Sequence, residues 1–156
     1  MSDSPQRRSL AQLLAGRQVA AAESCTAGRI ATLLAAEAGA SSFLLGGLVA
    51  YHEVTKRALL RVTAPCIYSE ETASQMAEGV CDLTGADVAV ATTGLAGPEP
   101  LDGVAPGTVC IAVTVSGATT ARTYCFDGTE DEICEQAAER ALDDLTAALA
   151  GDVTES

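Results

Sequence analysis

Gln18-Val19-Ala20-Ala21-Ala22-Glu23-Ser24-Cys25-Thr26-Ala27-Gly28 decides the fold of this 156-residue chain. The apolar run 18–22 reads as a buried strand. Residues 26–38 read as a helix with Ile30, Leu33 and Leu34 on one face, ended by Gly39. A buried strand passing straight into a helix is the unit from which parallel α/β sheets are assembled.

Upstream, the leucines of residues 9–15 have helical spacing and stop at Gly16. Downstream, 43–51 reads as a second strand, its Gly46-Gly47 pair hinting at a bulge or a close approach, and 53–60 as a short helix. Ser69 caps a further helix with Glu70 and Glu71 in its first turn, Ala73, Met76, Ala77, Val80 and Leu83 on its buried face, and Gly85 closing it. A strand at 87–92 follows, then strands at 107–115 and 120–126 around the turn Ser116-Gly117. Thr129 and Glu132 have capping-box spacing and open a last helix, with a stripe of Cys134, Ala138, Ala141, Leu142, Leu145 and Leu149. Helices alternate with strands early and a hairpin comes late. That order predicts an α/β fold: a three-layer α/β/α domain with a mixed, mostly parallel sheet.

One domain is expected over residues 1–156, with 1–8 a polar tail. The composition is 48% hydrophobic and 19% charged, enough to build a packed core. Aromatics are only 3% and the net charge is −12, which repels phosphate backbones and argues against nucleic-acid binding. An anionic ligand would need a local device such as an arginine or a helix N-terminus. No stretch is long and apolar enough to span a membrane, and the start lacks a signal-peptide pattern, so a cytoplasmic protein without a membrane partner is expected. The six cysteines form no C-x-x-C pair and read as free thiols. His52 is the only histidine, so no metal site is expected and a histidine-based triad would have to use it.

Three segments can carry chemistry. In the first, Ser24 and Thr26 stand on a strand-to-helix turn, where open α/β sheets build sites and where free N–H groups of the helix start can hold an oxyanion. A plain helix cap is the other reading. The second is Lys56, the only lysine beside eight arginines. Lysine can lose its proton when desolvated and arginine cannot, although chance in an arginine-rich composition also explains a lone lysine. Tyr51, just before it, is placed to hydrogen-bond the amine or a substrate, or to be a strand-end core residue. The third, Thr92-Thr93-Gly94-Leu95-Ala96-Gly97-Pro98, follows a buried strand and suits either backbone contacts to a ligand or a tight turn. Residues 98–107 read as a mobile flap beside it.

Ala22-Glu23-Ser24-Cys25-Thr26, Val49-Ala50-Tyr51 with Lys56 five positions on, Thr93-Gly94-Leu95-Ala96-Gly97-Pro98 and Pro106-Gly107-Thr108-Val109 together resemble the CinA (competence/damage-inducible) C-terminal domain family. The resemblance runs from about Leu10 to Ala150. Stand-alone members are nicotinamide-nucleotide amidohydrolases. The resemblance therefore implies hydrolysis of nicotinamide mononucleotide to nicotinate mononucleotide plus ammonia, as in NAD recycling, without a cofactor. It implies Ser24 as nucleophile, Lys56 as base, Tyr51 as a supporting hydroxyl and Thr93 as a substrate-contacting hydroxyl; Thr26, Gly28, Gly94 and Gly97 are also expected around the substrate. The sequence departs from the family at Ala27, where a second glycine is usual, at His52-Glu53-Val54-Thr55, and in the flap. A small-molecule nucleotide substrate and a homo-oligomer are expected. The alternatives are a non-catalytic pyridine-nucleotide-binding regulatory module, and an enzyme with Cys25 as its nucleophile.

Overall fold

The computed structural model describes residues 7–155. The polar tail expected at 1–8 lies outside the described residues apart from Arg7 and Arg8, both exposed. The elements are α1 (Leu10–Leu13), β1 (Val19–Glu23), α2 (Arg29–Ala35), a 3₁₀ turn (Ala40–Ser42), β2 (Leu44–Val49), α3 (Glu53–Leu60), α4 (Glu70–Thr84), β3 (Val88–Gly94), β4 (Thr108–Val115), β5 (Ala118–Cys125) and α5 (Glu130–Glu155).

One five-stranded sheet has the order β2-β1-β3-β4-β5. β1 pairs in parallel with β2 and β3, while β3–β4 and β4–β5 are antiparallel. Four strands thus run the same way and β4 alone is reversed. The central strands are buried on both faces and read as near-continuous apolar runs. The edge strands β2 and β5 alternate instead.

Side chains of a strand alternate between faces, and this divides the core in two. Val19, Ala21, Val88, Val90, Ile111 and Val113 join α1, α2 and α5 on one side. Ala20, Ala22, Ala89, Ala91, Cys110 and Ala112 face Met76, Val80 and Leu60 on the other. The second face is paved with small residues, so α4 lies close to the sheet and carries α3 on its flank. Gly79 marks that contact, because a Cβ there would run into the Leu60 carbonyl oxygen of α3. Alanine would gain up to about 1 kcal/mol of helix propensity. The obstacle is backbone, however, and overpacking of this kind costs about 1–3 kcal/mol. Gly79→Ala is therefore expected to lower the midpoint of thermal unfolding by a few degrees, measured by circular dichroism.

Several boundaries differ from the sequence expectation. Helix α2 begins at Arg29 rather than 26, because Ala27 (φ 47°) and Gly28 (φ 96°) take left-handed conformations that no helix accepts. Leu33 falls at the exposed rim of α2. Leu83 is 56% exposed rather than buried, since the last turn of α4 has no buried residue; Thr72 and Gly79 join the buried face instead. Both hints at Gly46-Gly47 are realised: the β1–β2 register shifts between Val19 and Ala20, and a Cβ on Gly47 would sit 2.9 Å from that of Ala31. The Glu132 N–H donates to Thr129 Oγ1 at 3.2 Å, as the capping spacing predicts.

Candidate active site

The carboxyl ends of β1, β2 and β3 meet around Ser24. The Ser24 N–H donates to the Thr92 carbonyl at 3.1 Å, and the Ala50 N–H donates to the Glu23 carbonyl at 2.7 Å. These two bonds extend the parallel ladders by one step and bring the Tyr51 main chain beside the serine. His52 then caps α3, its Nδ1 accepting from the Val54 N–H at 3.1 Å. Lys56 follows one turn into α3, on the face that packs inward.

Lys56 is 1% exposed, the largest of the fully buried side chains. Its Nζ lies 2.8 Å from Ser24 Oγ and donates to the Tyr51 carbonyl oxygen at 2.9 Å. A neutral amine has two hydrogens and one lone pair. With one hydrogen on the carbonyl, the lone pair can take the serine proton. Burial pushes the Lys56 pKa below its ordinary value, while the Glu53 carboxylate pulls it back more weakly. No third residue is needed to make this serine–lysine pair a nucleophile and a base.

Tyr51 contributes differently from the expectation. Its carbonyl, rather than its phenol, holds the amine, and the residue is 63% exposed, with its ring on the rim. Thr26 and Thr93, expected at the substrate, are fully buried. Thr26 Oγ1 donates to Glu23 Oε1 at 2.6 Å and lies 2.8 Å from Thr92 Oγ1. Thr93 Oγ1 donates to the Ile67 carbonyl at 2.6 Å. Both hydroxyls are spent inside the protein because the helix start and the 61–69 segment need them. Gly94 is also a packing position, since a Cβ there would meet the Thr108 carbonyl oxygen at 2.6 Å. Gly28 and Gly97 keep partial exposure, and nothing lies within 4 Å of a Cβ built on Gly97. The flap contains a two-residue turn, Asp102 and Gly103 at positive φ between the bridged Leu101 and Val104.

The helix start cannot hold an oxyanion as expected. Glu23 Oε1 accepts from the Ile30 N–H at 2.9 Å and Oε2 from the Ala31 N–H at 3.0 Å, while the Arg29 N–H goes to the Thr26 carbonyl. The amides of Cys25 and Thr26, one step earlier, have no acceptor among the described residues. Of the two, the Cys25 amide directly follows the nucleophile and belongs to a residue that keeps some exposure, whereas Thr26 is fully buried. The role of Glu23 escaped the sequence reading. Its one signal was a carboxylate at the end of an otherwise apolar strand.

Cys25 is buried, and burial first, then Cys134, pushes its pKa up to about 12. A thiol held that high is almost entirely protonated near neutrality, which disfavours it as nucleophile.

A cavity of about 360 Å³ opens beside the turn, with Cys25, Ala27, Arg29 and Tyr51 on one side and Glu130 and Asp131 on the other. Among the described residues Arg29 is its one basic lining residue, donating to the Thr26 carbonyl and pairing with Asp131 at 3.1 Å. Arg57 is committed to Glu53 and to the carbonyls of Val62 and Ala64. Arg61 ends α3 in a left-handed conformation. A larger cavity of about 810 Å³ lies between the chain start, β5 and α5, and none of the expected site residues lines it.

Fold and site together define a class: an α/β/α domain carrying a buried serine–lysine pair on the carboxyl edge of its sheet. Residues 4–149 match the CinA C-terminal domain, and the chain belongs to that family. It is 43% identical over 149 residues to a CinA-like protein of Mycolicibacterium vanbaalenii and 40% identical to one of Mycobacterium tuberculosis, each alignment covering 91% of this chain and 35% of the relative. The chain thus spans about a third of the length of the curated relatives it matches. A competence or damage-inducible protein from Enterobacter asburiae superposes with a TM-score of 0.86 at 38% identity, covering 90% of this chain and 93% of that one. A CinA superfamily protein from Enterobacter cloacae gives 0.86 at 34% identity, with 96% and 98% covered.

Proposed function

We propose that the chain is an amidohydrolase that deamidates nicotinamide mononucleotide by a serine–lysine mechanism. The observation that carries this reading is the 2.8 Å contact between a fully buried lysine amine and Ser24 Oγ. Neutral Lys56 takes the Ser24 proton as Oγ bonds to the carboxamide carbon. The oxyanion is received by the Cys25 amide, which follows the nucleophile directly and has no acceptor of its own among the described residues. Lys56 returns the proton to the departing nitrogen, the C–N bond breaks and ammonia leaves. Water, deprotonated by the same amine, then attacks the acyl carbon, the bond to Ser24 Oγ breaks as Lys56 returns the proton to it, and the acid leaves as its carboxylate. The proposed protein is cytoplasmic, and its solution assembly a homo-oligomer.

The reading is tested by measuring ammonia release from the mononucleotide, nicotinamide riboside and NAD side by side. Turnover of the mononucleotide is expected. Tight binding without turnover of any of the three would instead favour a regulatory module, and release from NAD alone would reassign the substrate.

Arg29 is the cation available to a substrate phosphate beside the turn. A hydrogen bond to a charged group contributes about 1.5–3 kcal/mol. Arg29→Ala is therefore expected to raise KM for the mononucleotide by about tenfold or more, since about 1.4 kcal/mol is a factor of ten. It should leave the riboside nearly unaffected. An unchanged ratio of the two KM values would put the phosphate elsewhere.

A further inference from the structure

Glu23 is completely buried, directly precedes Ser24, and accepts three hydrogen bonds from across the turn. Thr26 Oγ1 and the Ile30 N–H reach Oε1, and the Ala31 N–H reaches Oε2. Since Thr26 gives its only hydroxyl proton to Glu23, its contact with Thr92 must be accepted from the Thr92 hydroxyl, which links the turn to β3. Between these anchors Ala27 holds φ 47°, a conformation a non-glycine residue keeps only where its surroundings over-determine it. Main-chain bonds from Ala27 to Ser24 and from Arg29 to Thr26 bracket it, and the three side-chain bonds around the turn converge on one carboxylate.

Resting on the serine–lysine reading, we propose that Glu23 is the positioning residue of the nucleophile. Its carboxylate takes the α2 amides out of play and locks the Ser24–Gly28 turn. Ser24 Oγ thereby stays in line with Lys56 Nζ, and the Cys25 amide stays open for the oxyanion. Glutamine has almost the same volume but only one acceptor oxygen. Whichever way its amide is turned, either the Ile30 or the Ala31 N–H meets an NH₂ group, and the turn must shift to relieve the clash.

The test uses the full chain and a fluorophosphonate probe. Ser24 Oγ bonds to its phosphorus, fluoride leaves, and the serine proton passes to Lys56. Labelling rate, kcat and KM are compared for the unchanged protein, Glu23→Gln and Thr26→Val, each well below its own unfolding temperature. Thr26→Val keeps the shape but removes one donor to Glu23. A misplacement of about 1 Å can lower a rate about 100-fold, so labelling and kcat of Glu23→Gln should fall together by about 10- to 100-fold. KM should change little, and Thr26→Val should show a smaller loss of the same kind. A purely structural glutamate would give a lower unfolding temperature with unchanged labelling and kcat in the folded molecules. That result in either variant overturns the proposal, and if Glu23→Gln does not fold, Thr26→Val decides alone. If the unchanged protein labels no faster than Ser24→Ala, the serine–lysine reading fails, and the role of Glu23 falls with it.

Discussion

Lys56→Arg is expected to reduce turnover to background, a loss of about a thousandfold or more, because a general base contributes about 10²- to 10⁴-fold. Arginine keeps the charge but cannot accept a proton at any relevant pH. Its planar head also fits badly between Ser24 Oγ and the Tyr51 carbonyl, which lie 2.8 and 2.9 Å from the present amine. Lys56→Met, which fills the buried volume without a base, separates chemistry from packing. Both variants should be inactive, and the methionine protein should fold at least as well as the arginine one. Substantial activity in either would reduce Lys56 to an electrostatic contact.

The same residue sets the pH dependence. Burial lowers its pKa from the ordinary value of about 10.4. The reactive neutral amine therefore becomes more abundant as pH rises through the folded-state pKa, and kcat should rise through one ionisation below that of free lysine and then level off. The sign for stability is the same. Between the folded and unfolded pKa values the unfolded chain binds more protons, so raising the pH through that window stabilises the fold. Lys56→Met should remove this contribution, which denaturant titrations at several pH values would reveal.

Ser24→Ala should abolish turnover, whereas Cys25→Ala should keep most of it. In serine enzymes of this kind removal of the nucleophile can cost about 10⁶-fold. Cys25 sits next in the chain but is held at a pKa of about 12, so its thiolate is scarce at neutral pH. Ammonia release by both folded variants checks the assignment. An inactive, folded Cys25→Ala beside an active Ser24→Ala would reverse it.

The layered fold was legible because strands such as 87–92 carry a continuous apolar run, Val88 to Ala91, and helices such as α4 carry both a cap and a stripe. Ser24 and Lys56 stood out for the same kind of reason, one on a strand-to-helix turn and the other as a lone lysine. The contacts that consume Thr26 and Thr93 were not legible. Thr93 gives its proton to the Ile67 carbonyl, 26 positions away, and Thr26, whose proton goes to Glu23 three positions back, also accepts from Thr92, 66 positions on. Residue identity shows that a hydroxyl is present, not where its proton goes. The helix start was misjudged because Ala27 has good helix propensity, and a carboxylate at position 23 overrides it. Leu83 failed for a third reason: periodicity describes a face but not where the opposing layer ends.

The carbonyl that steadies the proposed base belongs to the main chain, and every amino acid supplies one. Position 51 is therefore free to vary in side chain without disturbing how the amine is oriented, and its exposed ring can be exchanged to suit a different substrate. Inheritance of the base's geometry depends instead on the Ala50–Glu23 main-chain bond, which no side-chain substitution removes unless proline replaces Ala50. Divergence within this architecture should alter what enters the site sooner than how the serine is activated.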